Sequence, residues 1–254
     1  MDDDPITLSL DTLNALKEFQ SEQQAEKERF AALEARAQAR FQAAKNEQDT
    51  PEEAVLPSIH DFKEDWQLSQ FWYSPETADA LAGELLAGID KTASSQPRVG
   101  VLCAPSVYPD LLKRNAQDAW LFEYDTRFEL LAHDKFVKYD YKHPFQLPPA
   151  LKGTFDRLII DPPFLQDDCE IKAASTARWL GKPDCRFIVC SGAKMRDLLL
   201  RLYKAEESQF QVAHSGGRLS NDFMCLLNYK STDPQFASLA SLAKEEYALL
   251  SQTA

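Results

Sequence analysis

The chain has 254 residues, of which 44% are hydrophobic, and its formal net charge is −12. This length and composition can bury one good core and leave residues over for an appendage. The sequence lacks the stretch of about 18 apolar residues that a membrane-spanning helix needs, and the acidic start, MDDDPITLSL, does not resemble a signal peptide. We therefore expect a cytoplasmic protein without a membrane segment.

The negative charge is concentrated near the amino terminus, where residues 1–64 contain 15 acidic and 7 basic side chains. An acidic chain repels the phosphate backbone over a long range, so nucleic-acid binding would need a local basic groove. The sequence contains no cluster of lysine and arginine that would form such a groove. The charge therefore disfavours a nucleic-acid ligand and favours a basic protein partner.

The five cysteines are odd in number and include no Cys-x-x-Cys pair. In the absence of an export signal, we expect them to be reduced thiols. Cys169, Cys185 and Cys190 have a spacing that fits no common zinc site. We predict no metal site.

The amino-terminal part of the chain predicts a helix. Residues 6–50 contain neither glycine nor proline and are rich in Ala, Glu, Gln, Lys and Arg, and Ser9 is a suitable N-cap. The apolar positions are too sparse for a long coiled coil, so the helix would contact the main domain or a partner only in part. We divide the chain into a helical extension over 1–50, a linker over 51–65 and a main domain over 66–254.

The main domain has the pattern of an α/β fold. Ser74 followed by Pro75 predicts the start of a helix. Short apolar segments then alternate with helical or loop segments, which predicts a doubly wound, mostly parallel sheet. An antiparallel pair in FQVAHSGGRLSNDFMCLLNYK would close the sheet. The parallel strands are predicted in RVGVLCAP, AWLFEYD, KFVKYDY, FDRLIID and CRFIVCSG.

Three of these predicted strands end in acidic residues, at the edge where such folds bind ligands. Glu123 and Asp125 end the second strand, and either carboxylate could accept from both hydroxyls of a ribose. Asp140 ends the third strand and could accept from an adenine amino group. Each acid alone could equally be a solvated strand end or a helix cap. Together with Asp161, which ends the fourth strand, they predict a nucleoside site.

The fourth strand ends in the turn LIIDPPF. The Asp161 carboxylate and the Pro162 carbonyl can both accept hydrogen bonds from one incoming amine, and the fixed φ angles of the two prolines hold both acceptors in place. The Phe164 ring can stack on a base or contact an alkylamine. Such a turn suits an amine that attacks an electrophilic methyl group.

These residues carry a family resemblance. LIIDPPF resembles the Asp/Asn-Pro-Pro-aromatic motif of S-adenosylmethionine-dependent methyltransferases that act on adenine, glutamine or lysine nitrogen. With DWQLSQFWYSPETA, LCAPSVY, FEYDTRF and IIDPPFL, the chain resembles the elongation factor 1-alpha lysine methyltransferase 1 family over roughly residues 60 to 230. The resemblance implies a seven-stranded, Rossmann-like methyltransferase sheet and S-adenosylmethionine as the cofactor. It also implies methyl transfer to a lysine of elongation factor 1-alpha.

The resemblance also implies two groups of cofactor contacts. One is the segment Phe71, Trp72, Tyr73 and Ser74. In adenine methyltransferases a comparable segment covers the methionine end of the cofactor, and the resemblance implies the same here. The other is Ala104, Pro105 and Ser106, which follow the first strand where most methyltransferases have a glycine-rich loop. Because glycine lets the backbone approach a ligand closely, its absence from CAPSVYPDL is a departure from the general pattern.

Two alternatives to a lysine methyltransferase stay open. Adenine methylation in DNA or RNA would require base flipping and phosphate contacts, which the acidic charge disfavours. A methyltransferase-like assembly factor without activity would use its amino-terminal helix to bind a ribosome-associated partner.

Overall fold

The computed structural model describes residues 9–45, 58–90, 96–217 and 222–244, and it separates the chain into a unit over 1–57 and a unit over 58–254. The first unit contains the helix α1, Leu10–Lys45. The hydroxyl oxygen of Ser9 accepts a hydrogen bond from the Thr12 backbone N–H at 3.2 Å, as the predicted N-cap should. Among the described residues, no helix combines the length and apolarity that crossing a bilayer requires.

The second unit is built on a sheet with strand order β3-β2-β1-β4-β5-β7-β6. Strands β1 to β5 run parallel to one another, whereas β7 is antiparallel to both β5 and β6. The order reverses at β1, so the crevice for a ligand lies at the carboxyl ends of β1 and β4. The strands are β1 Val99–Leu102, β2 Ala119–Glu123, β3 Phe136–Lys138, β4 Phe155–Ile160, β5 Gly181–Gly192, β6 Glu206–Glu207 and β7 Phe223–Leu227.

Helices cover both faces of this sheet. Leu102, Leu158 and Val189 point to one face and belong to a cluster with the apolar sides of α5 and α6. Val101 and Ile159, their neighbours in sequence, are fully buried on the other face. The α/β, doubly wound fold expected from the sequence is therefore confirmed. The helices are α2 Pro75–Leu85, α3 Tyr108–Lys113, α4 Glu129–Ala132, α5 Asp167–Leu180 and α6 Arg196–Tyr203.

The predicted antiparallel pair differs from the structure in its first strand. The segment 209–213 carries the FQVA sequence but is not a strand, and β6 consists of only two residues before it. Instead, the Phe210 ring stacks on Phe236 at 4.4 Å. The Ala213 carbonyl accepts from the Ser74 N–H at 2.9 Å. Tertiary contacts thus override the β propensity of this segment.

The boundary of the main unit also lies earlier than predicted. Ile59 and Phe62 are buried, and the Phe62 carbonyl accepts from the Trp72 indole N–H at 2.8 Å. Residues 58–65, which the sequence placed in the linker, therefore belong to the second unit. The rest of that predicted linker, and the end of the predicted helix beyond residue 45, lie outside the described residues.

Candidate active site

The carboxyl ends of β1, β2, β3 and β4 surround a cavity of about 470 Å³. Eleven of the thirteen residues that the sequence singled out line it, and Ser74 and Asp125 do not. The eleven are Phe71, Trp72, Tyr73, Ala104, Pro105, Ser106, Glu123, Asp140, Asp161, Pro162 and Phe164. The cavity therefore gathers residues from five separate segments of the chain.

The turn after β4 is anchored to its neighbours. The Asp161 N–H donates to the Leu102 carbonyl at 3.0 Å, which continues the pairing with β1 by one residue. Leu165 packs against Gly192 at the end of β5, where an added Cβ would lie 2.6 Å from Leu165 Cδ1. Any larger residue at 192 would force the Leu165 side chain to move. The backbone thus fixes the position of the Asp161 carboxyl group at the cavity.

The electrostatic environment of Asp161 is unusual for an aspartate. The pKa of this carboxyl group is raised to about 8, mainly by burial and also by the nearby acids Glu170 and Glu123, although a hydrogen bond from the Tyr73 hydroxyl lowers it. The Tyr73 hydroxyl donates to Asp161 Oδ2 at 2.5 Å. A carboxyl group with this pKa can exchange a proton near neutral pH, which is a property of catalytic sites.

Glu123 and Asp125 differ in what their carboxylates can still bind. Glu123 Oε1 accepts from the Tyr124 and Asp125 N–H groups, while no hydrogen bond to its Oε2 is seen in the described part of the chain. Asp125 is instead engaged on both oxygens, by the Arg127 guanidinium and the Gln70 amide. Burial raises the pKa of Glu123 to about 7. The geometry therefore makes Glu123 the available acceptor.

Asp140 and an aromatic pair form another wall of the cavity. Asp140 Oδ1 accepts from the Lys142 N–H at 2.9 Å, which fixes the turn after β3. The next residue, Tyr141, packs edge-to-face on Phe164 with ring centroids 5.7 Å apart. The Phe164 ring, which belongs to the turn that carries Asp161, is thus packed against the turn after β3.

The loop after β1 reaches a conformation that usually requires glycine. Cys103 has φ = 57°, in the left-handed region, where a non-glycine residue costs roughly 1–2 kcal/mol. The turn Pro105–Val107 follows directly. The loop therefore turns through a left-handed residue, as a glycine-rich loop can, although it contains no glycine. It places Ala104 and Ser106 at the cavity.

The aromatic segment before α2 divides between the core and the cavity. Trp72 is buried with its ring edge-on to Phe128 at 5.6 Å, and Tyr73 is buried with its hydroxyl on Asp161. Phe71 is partly exposed. Ser74 caps α2, its hydroxyl accepting from the Thr77 N–H at 3.2 Å, and it takes no part in the cavity wall.

Several cavity residues were missed by the sequence analysis. Tyr141 could have been found, because it directly follows an acid at the end of a strand. His214 and Phe223 gave no signal, because they reach the cavity only through the fold of the β6–β7 region. Other residues that line the cavity and that the sequence analysis did not select are Cys103, Tyr124, Tyr139, Lys142, Leu165 and Gln166.

The donor set fits S-adenosylmethionine. Glu123 offers a free carboxylate oxygen for a ribose diol, and aromatic side chains from two segments can flank an adenine ring. Acids whose pKa values are raised by burial favour a ligand with positive charge, as the sulfonium is. With strand order 3-2-1-4-5-7-6 and this cavity at the switch point, the fold and site are those of an S-adenosylmethionine-dependent methyltransferase.

Comparisons with known proteins give the family. The profile of a family described as "Probable N6-adenine methyltransferase" matches residues 64–231. The chain is 38% identical to "Protein-lysine N-methyltransferase EFM5" of Saccharomyces cerevisiae, covering 91% of this chain and 95% of that protein. It is 34% identical to "EEF1A lysine methyltransferase 1" of Homo sapiens, covering 91% and 95%, and 40% identical to the Bos taurus protein of the same name, covering 66% and 73%. The chain belongs to this family of protein-lysine N-methyltransferases.

Proposed function

We propose that this protein methylates a lysine side chain of translation elongation factor 1-alpha, with S-adenosylmethionine as the methyl donor, in the cytoplasm. Relatives named EEF1A lysine methyltransferase 1 support the choice of substrate. The acidic charge supports a protein partner over nucleic acid. All five cysteines are free thiols, which suits a reducing compartment.

The observation that carries the proposal is the Asp161-Pro162 turn at the cavity. Among the described residues, none donates a hydrogen bond to Asp161 Oδ1. Neither proline of the turn has a backbone N–H that could compete with an incoming amine for the Pro162 carbonyl. Both acceptors can therefore bind one amine nitrogen, and orient it toward the cavity. The cofactor supplies the electrophilic methyl group when it is bound.

The raised pKa of Asp161 also addresses the protonation of lysine. A free lysine amine has a pKa of about 10.4, so it is almost wholly protonated near neutral pH, and only the neutral amine is a nucleophile. An ordinary aspartate, with a pKa of about 3.9, would be a poor acceptor for that proton. The Asp161 carboxyl group, with its pKa raised to about 8 mainly by burial, is a much closer match once it is ionised, and the positive charge of a bound sulfonium would favour that ionised form.

The aromatic pair at the cavity provides a slot for the alkyl part of the lysine. Phe164 and Tyr141 meet edge-to-face, and both line the same cavity as Asp161. Methylene groups can pack on these rings, and a developing ammonium is attracted to an aromatic face. This arrangement favours a flexible alkylamine as the substrate.

We assign the cofactor contacts to the rest of the cavity. Glu123 Oε2 would accept from the ribose hydroxyls, and Asp140 from the adenine amino group. Ala104, Pro105 and Ser106 would contact the cofactor along the loop after β1, and Phe71 would cover its methionine end. Asp125 is excluded from this set because both of its oxygens already have partners.

The direct test is to incubate the purified protein with S-adenosylmethionine and either elongation factor 1-alpha or adenine-containing DNA. We expect mass spectrometry to find methyl groups on a lysine of the protein and none on the DNA. Asp161→Ala serves as the inactive control. Methylated adenine with unmodified protein would contradict the substrate class, and neither product in the presence of bound cofactor would favour a non-catalytic assembly factor.

A further inference from the structure

The segment before α2 places a tyrosine hydroxyl directly on the acceptor acid. Tyr73 is only 1% exposed, and its hydroxyl donates to Asp161 Oδ2 at 2.5 Å. Burial, followed by the neighbouring Asp161 carboxylate, raises the pKa of Tyr73 well above its usual value. The phenol therefore keeps its proton and acts as a donor throughout the working pH range.

The backbone fixes this tyrosine from two sides. Its N–H donates to the Ser106 hydroxyl at 3.2 Å, and its carbonyl accepts from the Ser215 hydroxyl at 3.1 Å. The ring lies 5.2 Å from the His214 ring, and burial lowers the pKa of His214 to about 4, so this neighbour is neutral. The hydroxyl is therefore held on Asp161 by contacts from two other segments.

One consequence is that the two oxygens of Asp161 are no longer equivalent. Tyr73 occupies Oδ2, and among the described residues no donor reaches Oδ1. A carboxylate without such a bond could turn about its last torsion and offer either oxygen, because that torsion is broad. The bond from Tyr73 limits the amine to one oxygen and one approach.

A second consequence concerns the proton equilibrium of Asp161. Burial raises the pKa of Asp161, and the hydrogen bond from Tyr73 opposes this effect. Removal of the hydroxyl would therefore move the ionisation of Asp161 to higher pH. The other titratable groups that interact with Asp161 are Glu123 on β2, Glu170 on α5, Cys103 after β1 and Cys190 on β5.

We propose that Tyr73 is a positioning residue for the amine acceptor, holding Asp161 Oδ2 so that Oδ1 faces the substrate nitrogen. The proposal rests on the role given to Asp161 in the proposed function. It also gives Tyr73 a different task from the cofactor contact that the sequence predicted. Its hydroxyl serves the acceptor, and its backbone links the acceptor to the loops that carry Ser106 and Ser215.

Tyr73→Phe tests this role because it keeps the ring and removes only the hydroxyl. We expect kcat on elongation factor 1-alpha to fall about 10-fold and the rising limb of the pH profile to move about one pH unit higher, as the loss of one charge-assisted hydrogen bond predicts. The Kd for S-adenosylhomocysteine, the uncharged sulfide product, should change less than about 3-fold, because no cofactor contact is lost.

Tyr108→Phe is the matched control. Tyr108 is 2% exposed, and its hydroxyl donates to the Ala119 carbonyl at 2.9 Å, away from the cavity. It therefore loses a buried hydrogen bond without touching Asp161, and its pH profile should match that of the wild type.

A second readout does not depend on the substrate. The Tm of the wild type should fall as the pH rises towards the pKa of Asp161, because the folded state holds that proton more tightly than the unfolded state. In Tyr73→Phe the fall should continue to higher pH, and in the Asp161→Asn background the same substitution should leave the pH dependence unchanged. These profiles report the Tyr73–Asp161 bond even if elongation factor 1-alpha proves not to be the substrate.

Unchanged pH profiles of both rate and Tm in a folded Tyr73→Phe variant would overturn the proposal. So would a weakened Kd for S-adenosylhomocysteine with an unchanged pH profile, because that pattern identifies a cofactor contact. If Tyr73→Phe does not fold, Tyr73 can be replaced by 3-fluorotyrosine, whose hydroxyl is a stronger donor. The Tm profile should then shift to lower pH, and the absence of a shift would equally refute the role.

Discussion

Acidic residues lie at both ends of the parallel strands of the central sheet, and their partners differ between the two ends. We call the side where these strands begin the amino edge and the side where they end the carboxyl edge. At the amino edge, Asp118 binds the Arg98 guanidinium at 2.7 Å and the Lys135 ammonium at 2.8 Å. Asp156 forms an ion pair with Lys182 at the same edge. Although partial burial works against it, hydrogen bonds from Lys135, Arg98 and Trp120 lower the pKa of Asp118 to about 2.

At the carboxyl edge Asp125 is paired with Arg127, whereas three other acids there have no such partner. Among the described residues, none of the ion pairs includes Glu123, Asp161 or Glu170. Burial raises the pKa to about 7 for Glu123 and Glu170 and to about 8 for Asp161. Glu170 Oε1 accepts from the Ser191 hydroxyl at 2.6 Å, while its Oε2 is buried and no described residue donates to it.

This difference separates acids that stabilise the fold from acids that prepare it for a ligand. A paired carboxylate at the amino edge contributes to stability, whereas a buried, unpaired one raises the free energy of the folded state. Perturbed pKa values of this kind cluster at functional sites. A sulfonium cofactor and a lysine ammonium would provide the positive charge that the carboxyl edge lacks.

The largest effect should come from removal of the acceptor at the carboxyl edge. We predict that Asp161→Ala lowers the rate of methyl transfer by about 100-fold or more, because one acceptor for the amine and its proton is lost. Single-turnover rates measure the effect, and circular dichroism checks the fold. A folded variant with full activity would refute the assignment of Asp161.

The next largest effect should distinguish the two acids after β2. Glu123→Ala should weaken the Kd for S-adenosylmethionine by roughly 10- to 100-fold, as expected for the loss of charge-assisted hydrogen bonds to two hydroxyls. Asp125→Ala is the matched variant and should weaken it less, because its oxygens are engaged by Arg127 and Gln70. Calorimetric titration of both variants decides the matter, and a larger loss in Asp125→Ala would reverse the choice.

The third prediction uses the sign of the pH dependence. The folded-state pKa of Asp161, about 8, lies above the unfolded value, so the folded state binds more protons and stability falls as the pH rises from about 4 to about 8. Asp161→Asn removes this fall. We expect its stability relative to the wild type to increase by on the order of 4 kcal/mol between pH 5 and pH 8.5. Denaturant unfolding at both pH values checks this, and a constant difference would contradict it.

The smallest effect should come from the amino edge, where the sign is opposite. The lowered pKa of Asp118 contributes stability above the unfolded pKa, and that contribution is lost as the pH falls through about 2. Because the pair is partly exposed, we expect Asp118→Asn to cost only about 0.5–1 kcal/mol at pH 7. The Kd for S-adenosylmethionine should not change, and a weakened Kd would show that the two edges are not independent.

The sequence predicted the parallel strands and the acids at their ends because both signals are local. A buried parallel strand is a short apolar run, and the two prolines of LIIDPPF indicate where the fourth strand ends. The same local reasoning failed at 209–213, where Phe236 and Ser74 supply partners from distant parts of the chain. It also could not foresee that Cys103 takes the left-handed conformation, because few non-glycine residues do so.

Roles that depend on contacts between distant parts of the chain could not be predicted from the sequence. Tyr73 and Asp161 are 88 residues apart, and nothing in the QFWYS segment indicates a hydroxyl on an acid. Glu123 and Asp125 could not be ranked, because strand periodicity puts both on one face. The fold distinguishes them, because Glu123 lines the cavity whereas Asp125 is engaged by Arg127 and Gln70.

The most direct test of the uncompensated carboxyl edge is to count the protons exchanged when a cationic ligand binds. Calorimetry at pH 7.5 in buffers of different ionisation enthalpy should compare S-adenosylmethionine, a sulfonium cation, with S-adenosylhomocysteine, its neutral sulfide counterpart. We predict that S-adenosylmethionine releases more protons, because its charge favours ionised Asp161 and Glu123, and that Asp161→Asn reduces the difference. Equal proton release for the two ligands in the wild type would contradict this view of the site.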